Sequence, residues 1–207
     1  MLDIISTMTE ATSSALTCRI ADRIRELRAA RGLSLDALAT RSGVSRSMIS
    51  VIERGESSPT AVVLEKLSVG LGVPLASLFD APADDDALPA GPVARRVDQP
   101  EWRDPASGYL RRNVSPPGVE QPIQIVEVEF PPRARVAFET GSRDVRVDQQ
   151  VWVLEGCIEV TWGEERYRLR DGDCLAMRID RPIMFHNPTR KAARYAVVLA
   201  SEPATRR

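Results

Sequence analysis

The sequence predicts an α + β two-domain protein, a helical N-terminal domain followed by an all-β sandwich or barrel. Three observations predict it. Apolar residues recur at helical spacing from Ile20 to Phe79. Beyond residue 92 they change to short alternating or β-branched runs such as "PIQIVEVEF", "ARVAFE", "QVWVLEG", "CIEVTW", "YRLRDGD" and "RYAVVLA". Between the two textures lies "DAPADDDALPAGP", residues 80–92, rich in Ala, Pro and Asp and without an apolar period, as an exposed linker would be. With 207 residues, each half is long enough to bury a core of its own. The expected boundaries are a disordered N-terminal tail over 1–17, a helical domain over 18–80, a linker over 81–92 and a β domain over 93–207.

Five helices are expected in the first half. The apolar sets are Ile20, Ile24 and Leu27; Leu35, Leu38 and Ala39; Ile49 and Ile52; and Val63, Leu64, Leu67 and Leu71, with a fifth helix after Gly72-Val73-Pro74. Ser34, Ser45 and Thr60 stand where N-caps belong, because a short side-chain oxygen can accept from the free amides of a first turn.

Composition excludes several classes. A hydrophobic fraction of 43%, a charged fraction of 28% and a net charge of -1 describe an ordinary globular chain without a global attraction to nucleic acid or acidic membranes. Residues 1–80 hold nine Arg or Lys and nine Asp or Glu, so any DNA affinity must come from one-sided charge placement and dimerisation. Cys18, Cys157 and Cys174 are too few and too far apart for a disulfide framework or a Cys-based zinc site, which fits a reducing cytosol. Cys157 and Cys174 read as small buried apolar residues rather than nucleophiles. The N-terminal stretch lacks a basic start and a long apolar run, so neither a signal peptide nor a membrane anchor is expected, and a cytoplasmic location follows.

The stretch "LDALATRSGVSRSMISVIERG" has helix-turn-helix spacing. Ala39 is small where a second helix crosses, Gly43 can take the left-handed turn, Val44 covers the core, and Ile49 and Ile52 pin the second helix. With its flanks "IRELRAARGLSLDALA" and "ERGESSPTAVVLEKLSVGLGVPLASLF", it resembles the phage-repressor-like (Xre-type, lambda-repressor-like) DNA-binding domain over about sixty residues. The resemblance implies that the helix from about Arg46 to Glu53 enters the major groove of double-stranded operator DNA. Arg46, Ser47 and Val51 would then read bases: Arg46 by two hydrogen bonds to guanine, Val51 against a thymine methyl. Ser45, Ser50, Arg54 and Ser57 would hold phosphates. Arg28 and Glu53 match a structural ion pair between the first helix and the recognition helix. Leu35 departs from the family's frequent glutamine and removes a phosphate contact.

The segment "GSRDVRVDQQVWVLEGCIEVTWGEERYRLRDGDCLAMRIDRPIMFHN" resembles the cupin barrel, a double-stranded β-helix or jelly roll often joined to Xre-type domains. Gly156, Gly172 and Asn187 fit the family's frame, but its metal-ligand slots do not hold ligands. Gln149 takes the glutamate slot, Ile183 takes one histidine slot, and the His-x-His slots fall on Ser142 and Asp144 or on Arg143 and Val145. Glutamine with isoleucine supplies at best one weak oxygen, so no metal or other cofactor is expected. His186, the single histidine, stands an odd number of residues from Ile183 and should point away from the barrel interior. No Ser-His-Asp or Cys-His arrangement can be assembled around it.

Gln149, Val151, Met177, Ile183 and Phe185 are the candidate walls of an effector pocket, with Arg143 or Arg146 near its mouth; alternatively these side chains fill the barrel. The expectation is a homodimeric, sequence-specific DNA-binding transcription regulator, not an enzyme, with no membrane partner. Its metal-free cupin-like domain would dimerise and respond to a small-molecule effector. The contrasting reading is a metal-dependent cupin enzyme, an isomerase or dioxygenase, localised to DNA by its helical domain; a third makes the barrel a dimerisation module alone.

Overall fold

The computed structural model describes residues 2–79, 91–116, 122–139 and 145–203. The expected linker lies almost wholly outside the described residues, as do Ser142, Arg143 and Asp144.

The helical half consists of α1 (Leu2–Ala30), α2 (Leu35–Ser42), α3 (Arg46–Glu53) and α4 (Ala61–Leu71), closed by a 3₁₀ helix at Leu75–Phe79. The stretch 1–17, expected as a disordered tail, instead continues α1 back to Leu2. Nothing in the first thirty residues is Gly or Pro, so no local breaker stops the helix. Leu16, two residues ahead of the expected domain start, is already buried with Ile20 and Ile24 at i, i+4 spacing. Gly72 caps α4 in the left-handed conformation, Pro74 follows two residues later, and the expected fifth helix is the 3₁₀ turn Leu75–Phe79.

All three expected N-caps are in place. The Ser34, Ser45 and Thr60 hydroxyls accept from the amides of Ala37, Met48 and Val63 at 3.1, 3.3 and 3.4 Å. Gly43 ends α2 at φ 69°, and its N–H donates to the Ala39 carbonyl. A close crossing lies one turn beyond Ala39, where Gly70 of α4 lies against Ser42 of α2. A Cβ at Gly70 would stand 2.7 Å from the Ser42 Cβ and 3.0 Å from its backbone nitrogen and Cα.

The β half is a two-sheet jelly roll. Its strands are β1 (Glu101–Arg103), β2 (Leu110–Asn113), β3 (Ile123–Phe130), β4 (Arg135–Phe138), β5 (Val145–Glu155), β6 (Cys157–Trp162), β7 (Glu165–Arg170), β8 (Cys174–Arg178), β9 (Ile183–His186) and β10 (Ala193–Pro203). One sheet has the order β1-β2-β3-β10-β5-β8 and the other β4-β9-β6-β7. The eight strands β3 to β10 give the paired Greek-key arrangement of cupin-type barrels, and the β1–β2 hairpin extends the larger sheet along β3. Strand alternation puts Val126, Val128, Val147, Val151, Val153, Val197 and Leu199 inside.

The two halves are packed directly against one another. Asp104, in the β1–β2 turn and only 2% exposed, accepts the Ala61 amide of α4 at 2.9 Å through Oδ1. It therefore caps a helix of the other domain. Aromatic rings continue the junction: Phe79 meets Trp102 edge-on at 5.7 Å, Trp102 meets Tyr109 at 5.7 Å, Tyr109 meets Phe130 at 6.3 Å and Phe130 meets Tyr195 at 6.0 Å. Arg111 lies over the Phe79 ring at 4.9 Å, and Arg23 Nε of α1 donates to the Ser77 carbonyl at 3.2 Å.

Gly70→Ala should destabilise the protein. Alanine ordinarily gains about 0.5–1 kcal/mol over glycine inside a helix, but overpacking costs about 1–3 kcal/mol, and here the clash is with backbone that cannot rotate away. A melting temperature equal to or above wild type would contradict this close packing.

Candidate nucleic-acid interface and barrel cavity

Helix α3 is amphipathic. Ile49 and Ile52 are fully buried, and Arg46, Ser47 and Met48 are exposed. Ser50 and Val51, half-buried one turn on, continue the outer stripe to exposed Arg54. This stripe carries all three candidate base readers. Ser45 caps the helix and its Oγ lies 3.2 Å from that of Ser47, so both hydroxyls sit beside the free amides of the first turn.

Arg46 is 3.3 Å from Asp36 of α2, an exposed pair that orients the guanidinium without holding it strongly. Arg54 is more constrained: NH1 donates to Ser50 Oγ at 2.6 Å, while Nε and NH2 both donate to the Glu56 carboxylate at 2.6 and 2.7 Å. This pairing holds the Glu56 carboxyl below its usual range. A phosphate contact from Arg54 must therefore compete with Glu56. Ser57 is half-buried in the loop before α4. Met48, 43% exposed among the polar residues of α3, was not singled out from the sequence, because methionine at this position also fits the helix's core pattern.

What holds α3 at this angle is the pair Arg28–Glu53. Arg28 Nε and NH2 each donate to a different Glu53 oxygen at 2.7 Å, and NH1 donates to the Leu33 carbonyl at 2.9 Å. The bidentate geometry is the strong one, and with side-chain exposures of 18% and 8% the pair is mostly screened from water.

A cavity of about 80 Å³ lies between the barrel interior and the helical domain. Three of the expected wall residues, Gln149, Ile183 and Phe185, line it. Val151 is fully buried behind the wall, and Met177 is buried beside a separate depression that Gln149 also borders. Arg146 does not reach the cavity. It alternates with inward Val147 onto the outer face of β5, where it pairs with Asp148 at 3.0 Å, and Arg178 approaches the same carboxylate at 3.1 Å. The cation at the cavity is Arg111 of β2, joined by Glu65 of α4 and the phenols of Tyr109 and Tyr195. Burial pushes both phenols well above their usual range, so they remain neutral hydroxyls.

Ile183 offers no donor and Gln149 only an amide, so the described part of the barrel interior does not fit a cupin metal. Among the described residues, no three His, Cys, Asp or Glu side chains cluster as ligands would. His186 faces outward: Ile183 and Phe185 turn into the core, while His186 Nδ1 lies 3.2 Å from Glu159 Oε2 across the β6–β9 pair. The Glu159 carboxyl is held below its usual range, chiefly by Arg166 and then by His186. Asn187 is fully buried and ties a barrel turn, its Nδ2 donating to the Phe130, Pro131 and Lys191 carbonyls. The cysteines correct an expectation. Cys174 is exposed and Cys157 half-buried, because both sit on outward positions of their strands.

Removing one partner of a largely buried ion pair leaves the other charge uncompensated, at a cost of about 3–5 kcal/mol. Arg28→Ala and Glu53→Ala should each lose stability toward that range in urea denaturation. The double variant should lose clearly less than the sum, and strict additivity would show that the two residues do not act as a pair.

Comparison with known proteins agrees with this geometry. Residues 24–78 match the helix-turn-helix family HTH_3. The chain is 46% identical over 59 residues to the HTH-type transcriptional regulator SutR of Escherichia coli, a match covering 28% of this chain and 33% of that protein. It is 48% identical over 59 residues to the HTH-type transcriptional regulator SlrR of Bacillus subtilis, covering 28% and 39%. The chain thus spans only a third to two-fifths of the length of these curated relatives. A crystal structure of an HTH_3 family transcriptional regulator from Vibrio cholerae aligns with 91% of this chain and 98% of its own, with TM-score 0.71 and 27% identity. No helix among the described residues is long and apolar enough to cross a membrane. Residues 24–78 thus form a helix-turn-helix domain of the HTH_3 family, similar to those of HTH-type transcriptional regulators and followed in this chain by a cupin-type jelly roll.

Proposed function

We propose that the protein is a cytoplasmic, sequence-specific DNA-binding transcription regulator that works as a homodimer. Its barrel binds a small-molecule effector without metal and is not an enzyme. The observation that carries this reading is the outer stripe of α3, on which Arg46, Ser47 and Val51 lie along one helix face whose opposite side is anchored by Ile49, Ile52 and the Arg28–Glu53 pair. Rigid support of this kind is what base reading requires.

Two copies related by a two-fold axis would present their α3 helices to half-sites about 34 Å apart. The outer face of the larger sheet suits such pairing, since Ile123, Ile125 and Trp152 are exposed there on neighbouring strands around Val198. Effector binding then acts by favouring one arrangement of the helical domains over another. The direct packing of α4 on the β1–β2 turn supplies a path that does not depend on the linker.

Arg46→Ala should lose about 1–3 kcal/mol of binding at one base position of the operator while leaving the fold intact. Fluorescence anisotropy at fixed salt, with the protein's own upstream DNA and unrelated DNA of equal length, checks this. Equal weakening on every sequence would mean that Arg46 holds phosphate and reads nothing. Effector binding itself is tested by melting the protein against a broad metabolite panel, since a ligand of the folded state must raise the melting temperature. A panel without a single shift would leave the barrel as a dimerisation module.

A further inference from the structure

The cavity is built by both domains. Most of its wall is barrel interior, including Phe130, Phe138 and Phe185, but one side is made by Glu65 of α4 together with Pro74 and Leu75, which lead into the 3₁₀ helix. Anything that occupies it touches the DNA-binding domain and the barrel at once.

Its charge pattern narrows the occupant. Among the lining residues, one acid, Glu65, comes from the helical domain and one base, Arg111, from the β domain; they are 5% and 6% exposed. Neither is a free charge. The remaining lining is aliphatic and aromatic apart from Gln149 and the neutral hydroxyls of Tyr109 and Tyr195. In so apolar a space an incoming charge must be matched. A simple carboxylate could take over a partner's place on Arg111 but would stand against Glu65, and a simple amine would do the reverse. A zwitterion can replace existing partners in kind at both. The volume of about 80 Å³ corresponds to roughly five to eight water molecules at 10–15 Å³ each, the size of a small amino acid with a short apolar side chain.

We infer that the cavity binds an α-amino acid with a small apolar side chain, its carboxylate on Arg111 and its ammonium on Glu65, and that the bound zwitterion clamps the DNA-binding domain onto the barrel. This inference rests on the effector reading of the barrel and adds to it the ligand class and the direction of the effect. The side chain enters the aromatic interior, while the two charged groups join β2 to α4. The same helix is capped by Asp104 from the β1–β2 turn, so the amide of Ala61, which donates to Asp104, reports how firmly α4 is docked.

The test is calorimetric titration of the full chain with valine, isovalerate and isobutylamine, which share a branched apolar body and differ in charged groups, together with hydrogen exchange at the Ala61 amide. Valine should bind at least tenfold more tightly than the acid or the amine, and should slow exchange at Ala61 by tenfold or more at saturation. In Glu65→Gln, valine should weaken about tenfold and lose its advantage over isovalerate; a purely structural Glu65 would weaken all three equally.

Binding of isovalerate or isobutylamine as tightly as valine would overturn the zwitterion while leaving an effector site standing. Valine binding without any change at Ala61 would overturn the clamp. A melting temperature unmoved by any of the standard α-amino acids would overturn the ligand class altogether. The effector reading itself falls only if the wider metabolite panel is silent as well. The wild-type comparison decides the matter even if the Glu65 variant fails to fold.

Discussion

A carboxylate from one domain caps a helix of the other, and the architecture turns on that contact. Asp104 accepts the Ala61 amide with Oδ1 and the Ser107 amide with Oδ2 at 2.8 Å, so the β1–β2 turn and the first turn of α4 are held by a single buried side chain. The helix start carries partial positive charge, which a buried carboxylate neutralises better than water would. Around this point Phe79 meets Trp102 and Arg111, and Trp102 meets Tyr109, so the helical domain is seated on the barrel rather than suspended from it.

This arrangement separates two tasks on adjoining helices. Helix α3 presents its outer stripe to solvent and is fixed from behind by Ile49, Ile52 and the Arg28–Glu53 pair. Helix α4 packs its Gly70 against Ser42 of α2 and contributes Glu65 to the cavity. The Gly70–Ser42 crossing leaves little room for α4 to slide relative to α2, the helix that precedes α3.

Much of the helical half was legible in the sequence because its signals are local. Ser34, Ser45, Thr60, Gly43 and the apolar spacing each act within one or two turns of chain, and each stands where it was expected. The barrel was legible as a texture and as the placements of Gln149, Ile183, Phe185 and His186, which follow from strand alternation. The β1–β2 hairpin was not legible. "EWR" and "LRRN" are short and charged, and their value depends on partners far away in sequence: Arg112 on Glu127, Arg111 on Phe79, Asp104 on Ala61. The cavity's basic residue was sought in Arg143 and Arg146 for the same reason, since nothing local says that a buried arginine will come from the hairpin. Over the first residues polar composition suggests a tail, while the absence of a Gly or Pro breaker lets α1 run from Leu2.

The row of rings from Phe79 through Trp102, Tyr109 and Phe130 to Tyr195 has a thermodynamic consequence. Two domains joined only by a tether melt in two steps, each with its own enthalpy. Here, separating the bundle from the barrel would expose Phe79 and Trp102 to water together, at about 1.5–3 kcal/mol for each side chain. The junction therefore couples the two melting steps, and part of the stability of the helical bundle is stored in the barrel on which it rests.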